Sequence, residues 1–162
     1  MLELVRLTED ALLAVRKTSE SPPRVSILDV LATVLGKERS SSAVNMAWKR
    51  LKDCYPDVIT NCDNFQFPGQ GQRPTPVATA RDIVQIIMVL PGKAAAGCRL
   101  EASGLLVRYI GGDTSLGQEV EQNRLAQEQL PPDHPARFFG EMVESTGLRS
   151  SLAPVAPPIV EI

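Results

Sequence analysis

Proline and glycine cut this chain into short segments, and that punctuation constrains its fold more than any other feature. Pro22-Pro23, Pro56, Pro68-Gly69-Gln70-Gly71, Pro91-Gly92, Gly111-Gly112 and Pro131-Pro132 each stand where neither a helix nor a central strand continues. Between them the apolar residues mostly recur at helical spacing. Ile27, Leu28, Leu31, Val34 and Leu35 predict a first helix, with Gly36 as its C-cap. Ser40, Ser41 and Ser42 offer N-caps for a second, on which Val44, Ala47, Trp48, Leu51 and Tyr55 form a core-facing stripe ended by Pro56. Thr79 and Asp82 have capping-box spacing for a helix through Leu90, apolar almost all round and so expected at the centre. A long helix over Lys93 to Ile110 is predicted to turn Ala95, Cys98, Ala102, Leu105, Leu106 and Tyr109 to the core. A polar helix from Asp113–Ser115 to about Gln129 follows, then a short one holding Phe138, Phe139, Met142 and Val143.

Strand signals are fewer. Short apolar runs flank Pro22-Pro23, predicting an N-terminal hairpin or a strand leading into the first helix. Val58 to Asn61 and Phe65 to Phe67 read as brief strands, and Pro68-Gly69-Gln70-Gly71 as the turn of a wing-like hairpin. Pro74 and Pro76 keep its return limb extended and confine it to a sheet edge. The expected fold is therefore α+β, a helix-rich single domain with a small antiparallel sheet. Residues 1–23 form an N-terminal segment, 24–113 the core domain and 114–146 accessory helices, and the Pro/Ala/Ser-rich 147–162 a disordered tail.

Charge is unevenly spread. Lys and Arg against Asp and Glu number 4 to 5 over residues 1–36, 10 to 6 over 37–108 and 3 to 8 over 109–162. A basic centre suits a polyanion, and an ordinary solvated surface produces the same excess. On the second helix Asn45, Lys49 and Lys52 lie opposite the apolar stripe, offering donors to phosphates and base edges; Arg73 sits beside the hairpin turn. Lys93 and Arg99 extend the candidate set, and Trp48 reads as a core anchor. Arg99 and Arg108 either enlarge that surface or pair with Glu101.

Catalytic parts are scarce. His134 is the only histidine, between Asp133 and Pro135, and Cys54, Cys62 and Cys98 match neither a disulfide framework nor a zinc spacing. Cys54 and Cys98 are expected to fill the core. Gly69-Gln70-Gly71 cannot serve as a dinucleotide or P-loop cradle, because Arg73-Pro74-Thr75-Pro76 starts no helix after it. The expectation is a non-enzymatic protein with no catalytic residue, cofactor or metal. The apolar run Ile83 to Pro91 is too short to span a bilayer and no secretion signal is visible, so an intracellular place, nuclear or cytoplasmic, is expected.

The order of elements resembles the KilA-N and Bro-N DNA-binding domains of large DNA viruses and phage antirepressors. The likeness spans about residues 24–113: a β-rich start, the helix Ala47-Trp48-Lys49-Arg50-Leu51-Lys52, strands around Phe65 to Val77, and a helix opening Leu90-Pro91-Gly92-Lys93-Ala94-Ala95-Ala96-Gly97-Cys98-Arg99. Ala96 and Gly97 replace aromatics usual in that last helix. The resemblance implies a small α+β domain that binds DNA without catalysis; the expected partner is double-stranded DNA and the expected role that of a transcription or replication regulator. The rival expectation is a protein-interaction module. A homodimer through residues 115–145 is compatible with both.

Overall fold

The computed structural model describes residues 15–69 and 73–145. The fold is α+β and helix-rich. Its elements run β1 (Val25–Ser26), α1 (Ile27–Leu35), α2 (Ser42–Cys54), β2 (Asp63–Phe65), β3 (Thr75–Ala78), α3 (Ala80–Val89), α4 (Lys93–Ile110), α5 (Leu116–Gln129), a 3₁₀ turn (Pro135–Arg137) and α6 (Phe138–Ser145). The antiparallel sheet has the order β1-β3-β2, with Val25 opposite Ala78 and Asp63 opposite Val77. The N-terminal hairpin forms: Lys17 bridges to Val25, Thr18 N donates to Arg24 O at 2.8 Å and Ser26 N to Arg16 O at 3.0 Å.

α1 lies at the centre of this arrangement. Its stripe buries Ile27, Val30, Leu31 and Val34, and α2, β3, α3 and α4 all pack on it. Ser26 caps its start by accepting from Asp29 N, and Gly36 closes it at φ 65°. Asp29, in the first turn, is buried with its charge. Its carboxylate accepts from the Arg16 backbone N and Nε, both at 2.9 Å, and from Arg16 Nη2 at 3.0 Å, and Arg39 Nε lies 3.2 Å away. The Arg16 guanidinium also lies 4.8 Å from the Phe67 ring centroid, which ties the hairpin base to α1. α6 completes the core with Phe138 and Met142 against α3, so the core extends beyond residue 113.

Several sequence expectations are corrected. Val58 to Asn61 is a run of turns, because Val58 N bonds Tyr55 O and Cys62 N bonds Ile59 O, while Val58 and Ile59 still pack on the core. The hairpin's outgoing strand is Asp63–Phe65 in place of Phe65–Phe67. Its return limb, β3, is the central strand, not an edge. Pro76 is tolerated there because the two residues of β1 reach only Val77 and Ala78, leaving that flank of Pro76 open. Thr79 makes no capping bond, its hydroxyl bonding the Asp82 carboxylate instead at 3.2 Å. α3 buries one face only, with Val84 and Gln85 exposed. α2 is longer than α1, and at its end Cys54 and Tyr55 are exposed where core positions were expected. Residues 70–72 of the hairpin turn, the first 14 residues and the expected disordered tail 147–162 lie outside the described residues.

The largest correction concerns α4. Its core-facing stripe starts buried, with Ala95 fully covered and Cys98 nearly so. It ends in solvent, with Leu105 40%, Leu106 58% and Tyr109 62% exposed. The helix runs off the body after Ala102. Among the described residues no single helix is long and apolar enough to cross a membrane; α3 and α4 reach that composition together only across a bend of 113°.

Candidate nucleic-acid interface

α2 carries the candidate surface. Ser41 is its N-cap, accepting from Ala43 N at 3.1 Å, and Val44 and Leu51 anchor it to α1. With that face inward, Asn45, Lys49 and Lys52, spaced four and three residues apart, share the outward face and are all exposed. The Lys52 ammonium stands 5.5 Å from the centroid of Trp48, whose ring is half-buried against the core as its anchoring role requires.

The other candidates come from two further elements. Arg73 is exposed two residues before β3, and Lys93 is exposed as the first residue of α4, where its charge adds to the positive end of the helix dipole. α2, β3 and α4 are each seated on α1. Arg99 differs from the rest. It is half-buried and donates from Nη1 to Leu90 O at 2.6 Å, bridging the corner between α3 and α4. Its first task is structural.

Ion pairing sorts the remaining cations sharply by position. Arg16, Lys17, Arg24, Arg39, Arg108 and Arg124 all pair with carboxylates. Arg99 and Arg137 donate to the backbone carbonyls of Leu90 and Leu130. Among the described residues, the cations with neither an ion pair nor such a carbonyl partner are Lys37, Lys49, Arg50, Lys52, Arg73, Arg81 and Lys93, every one exposed and every one between residues 37 and 93. In the same stretch only Glu38, Asp53 and Asp57 are exposed and unpaired carboxylates, since Asp63 pairs with Arg24 and Asp82 is buried. Seven charges against three leave a net excess of four. Lys37, Arg50 and Arg81 thus join the candidates; sequence shows their charge, whereas their lack of a partner depends on the fold.

His134 Nδ1 accepts from Ala136 N at 3.1 Å, shaping the 3₁₀ turn. Cys98 is buried, and burial together with the nearby Asp82 charge pushes the half-buried Cys62 thiol up to about 11. Among the described residues no group of three or more His, Cys, Asp or Glu side chains is placed to hold a metal ion. Arg108 pairs with Asp113 at 2.7 Å and Glu119 at 2.6 Å, at the turn between α4 and α5. No protein-family model, no curated protein and no solved structure matches the chain.

Proposed function

We propose that this protein is a DNA-binding module that grips the phosphate backbone through the outward face of α2 and the limb of the hairpin. The observation that supports this reading is the concentration of unpaired cations between residues 37 and 93, while the other cations among the described residues are matched to carboxylates or carbonyls. Unpaired surface cations condense onto a polyanion and release its counterions, whereas paired ones must first lose their partners. Lys49, Lys52 and Arg73 supply phosphate contacts, Lys93 adds charge at the start of α4, and Asn45 is the side chain suited to an adenine edge. Arg99 contributes through the α3–α4 corner. The KilA-N and Bro-N resemblance implies DNA binding without catalysis as well, and the role proposed is that of an intracellular transcription or replication regulator acting on duplex DNA.

Fluorescence anisotropy with a labelled duplex at two salt concentrations tests this. Lys49→Ala/Lys52→Ala/Arg73→Ala should weaken binding across sequences and flatten the salt dependence by roughly one unit of slope per lost contact. Equal affinities and slopes for parent and variant would remove this surface from consideration. A second role, protein interaction, is favoured by one separate observation, the exposed apolar end of α4.

A further inference from the structure

From Leu100 onward, most of the large side chains of α4 are apolar and uncovered. Leu100, Leu105, Leu106, Val107, Tyr109 and Ile110 are 40% to 76% exposed. At 100° per residue they cover two sides of the helix, Leu100, Val107 and Ile110 on one and Leu105, Leu106 and Tyr109 on the other, with Glu101, Gly104 and Arg108 in the arc between. A helix apolar on both of these sides has more apolar surface than one body covers. α5, which follows, buries none of its residues and adds Val120 at 63% and Leu125 at 44%. The glycines of this region do not answer to packing within the chain, since a Cβ at Gly97, Gly104 or Gly117 would meet nothing within 4 Å.

We propose that this arm, the distal half of α4 with α5, is the self-association surface of the protein, covered by the same arm of a second copy. Two arguments select that occupant. The first is area. The exposed fractions of these eight side chains amount to about five whole residues, on the order of 800 Å² at the scale of a large buried side chain. That equals the roughly 800 Å² one partner gives to a stable interface.

The second is charge. Arg108 is already paired with Asp113 and Glu119, and Arg124 with Glu121 and Glu128, so the arm asks no counter-charge of a partner and carries a slight negative excess. Anionic lipid is disfavoured by that excess. A second copy presents an apolar face of the same length whose arginines are likewise already paired, as a two-fold interface requires. This moves the dimer contact expected over residues 115–145 towards α4, and it is independent of the DNA reading.

Sedimentation equilibrium of the full chain tests the proposal, with Val107→Glu/Ile110→Glu as the variant. Both positions are exposed in the single copy, so the circular dichroism of the variant should be unchanged. Wild type should sediment at twice 17.6 kDa and the variant as a monomer, with its dimer dissociation constant raised at least about a hundredfold by two carboxylates in an apolar contact. Lys49→Ala/Lys52→Ala/Arg73→Ala should sediment as wild type, which separates this surface from the DNA-binding one. Three results overturn the proposal: a wild-type monomer up to about 100 µM, a dimer that survives both glutamates, or a monomer that floats with phosphatidylcholine vesicles, which would make lipid the occupant.

Discussion

The surroundings of α1 and the distal half of α4 handle the same two materials, apolar side chains and ionic groups, in opposite ways. Around α1 the large side chains Ile27 and Leu31 are wholly covered, and even the charge of Asp29 is enclosed by two arginines and the Arg16 backbone. Along the arm the apolar residues face out, and the ion pairs of Arg108 and Arg124 lie at the surface. The first pattern stabilises a single copy; the second leaves apolar surface available to another. The contrast teaches that residue type alone does not say which side chains hold the chain together.

The sharpest way to break this contrast is at Asp29. Asp29→Ala strands the Arg16 guanidinium in a half-buried site, and urea unfolding should show a loss of about 3–5 kcal/mol. Arg124→Ala, which removes only exposed pairs, should leave the urea midpoint nearly unchanged. A loss of similar size for both would erase the distinction. Apolar truncation gives the next largest effect: Ile86→Ala should cost about 2–5 kcal/mol through its cavity. Leu100→Ala should change single-copy stability by no more than about 0.5 kcal/mol, measured in the Val107→Glu/Ile110→Glu background so that association does not contribute.

The smallest effect is local and depends on pH. Hydrogen bonds from the Ser115 hydroxyl, then from Arg108 and the Ser115 backbone N–H, hold the exposed Asp113 carboxyl down at about 2 against an ordinary 3.8. Because the folded value is depressed, the contribution of these bonds is fully present above about pH 4 and is lost as pH falls towards 2. Amide exchange at Ser115 and Leu116 should therefore show its protection fall over that window while α1 stays protected. Unchanged protection at Ser115 down to pH 2 would show that the turn does not depend on Asp113.

Much of the body was legible in the residues themselves. The spacing of Ile27, Leu31 and Val34 with Gly36 after them marks α1 because periodicity and cap agree. The arm was not legible, because the stripe Ala95, Cys98, Ala102, Leu105, Tyr109 specifies which side of α4 is apolar but not where the body beneath it stops. Val58 to Asn61 misled for a related reason. β-Branched residues fit a strand and a packed turn equally well, and the choice was made by hydrogen bonds begun at Tyr55. For the candidate interface, the positive sum over residues 37–108 could be counted directly, whereas the pairing that neutralises Arg39 and Arg108 and spares Lys49, Lys52 and Arg73 is a property of distance.

The corner between α3 and α4 links the two surfaces. There the chain turns by 113°, Gly92 takes φ 104°, and the Arg99 guanidinium clasps the Leu90 carbonyl across the turn. Such a joint behaves as a caliper: in a pair of molecules joined arm to arm, its angle sets how far apart the two α2 faces stand. If the pair binds as proposed, the span a duplex has to offer to meet both is thereby written in the few residues of that elbow.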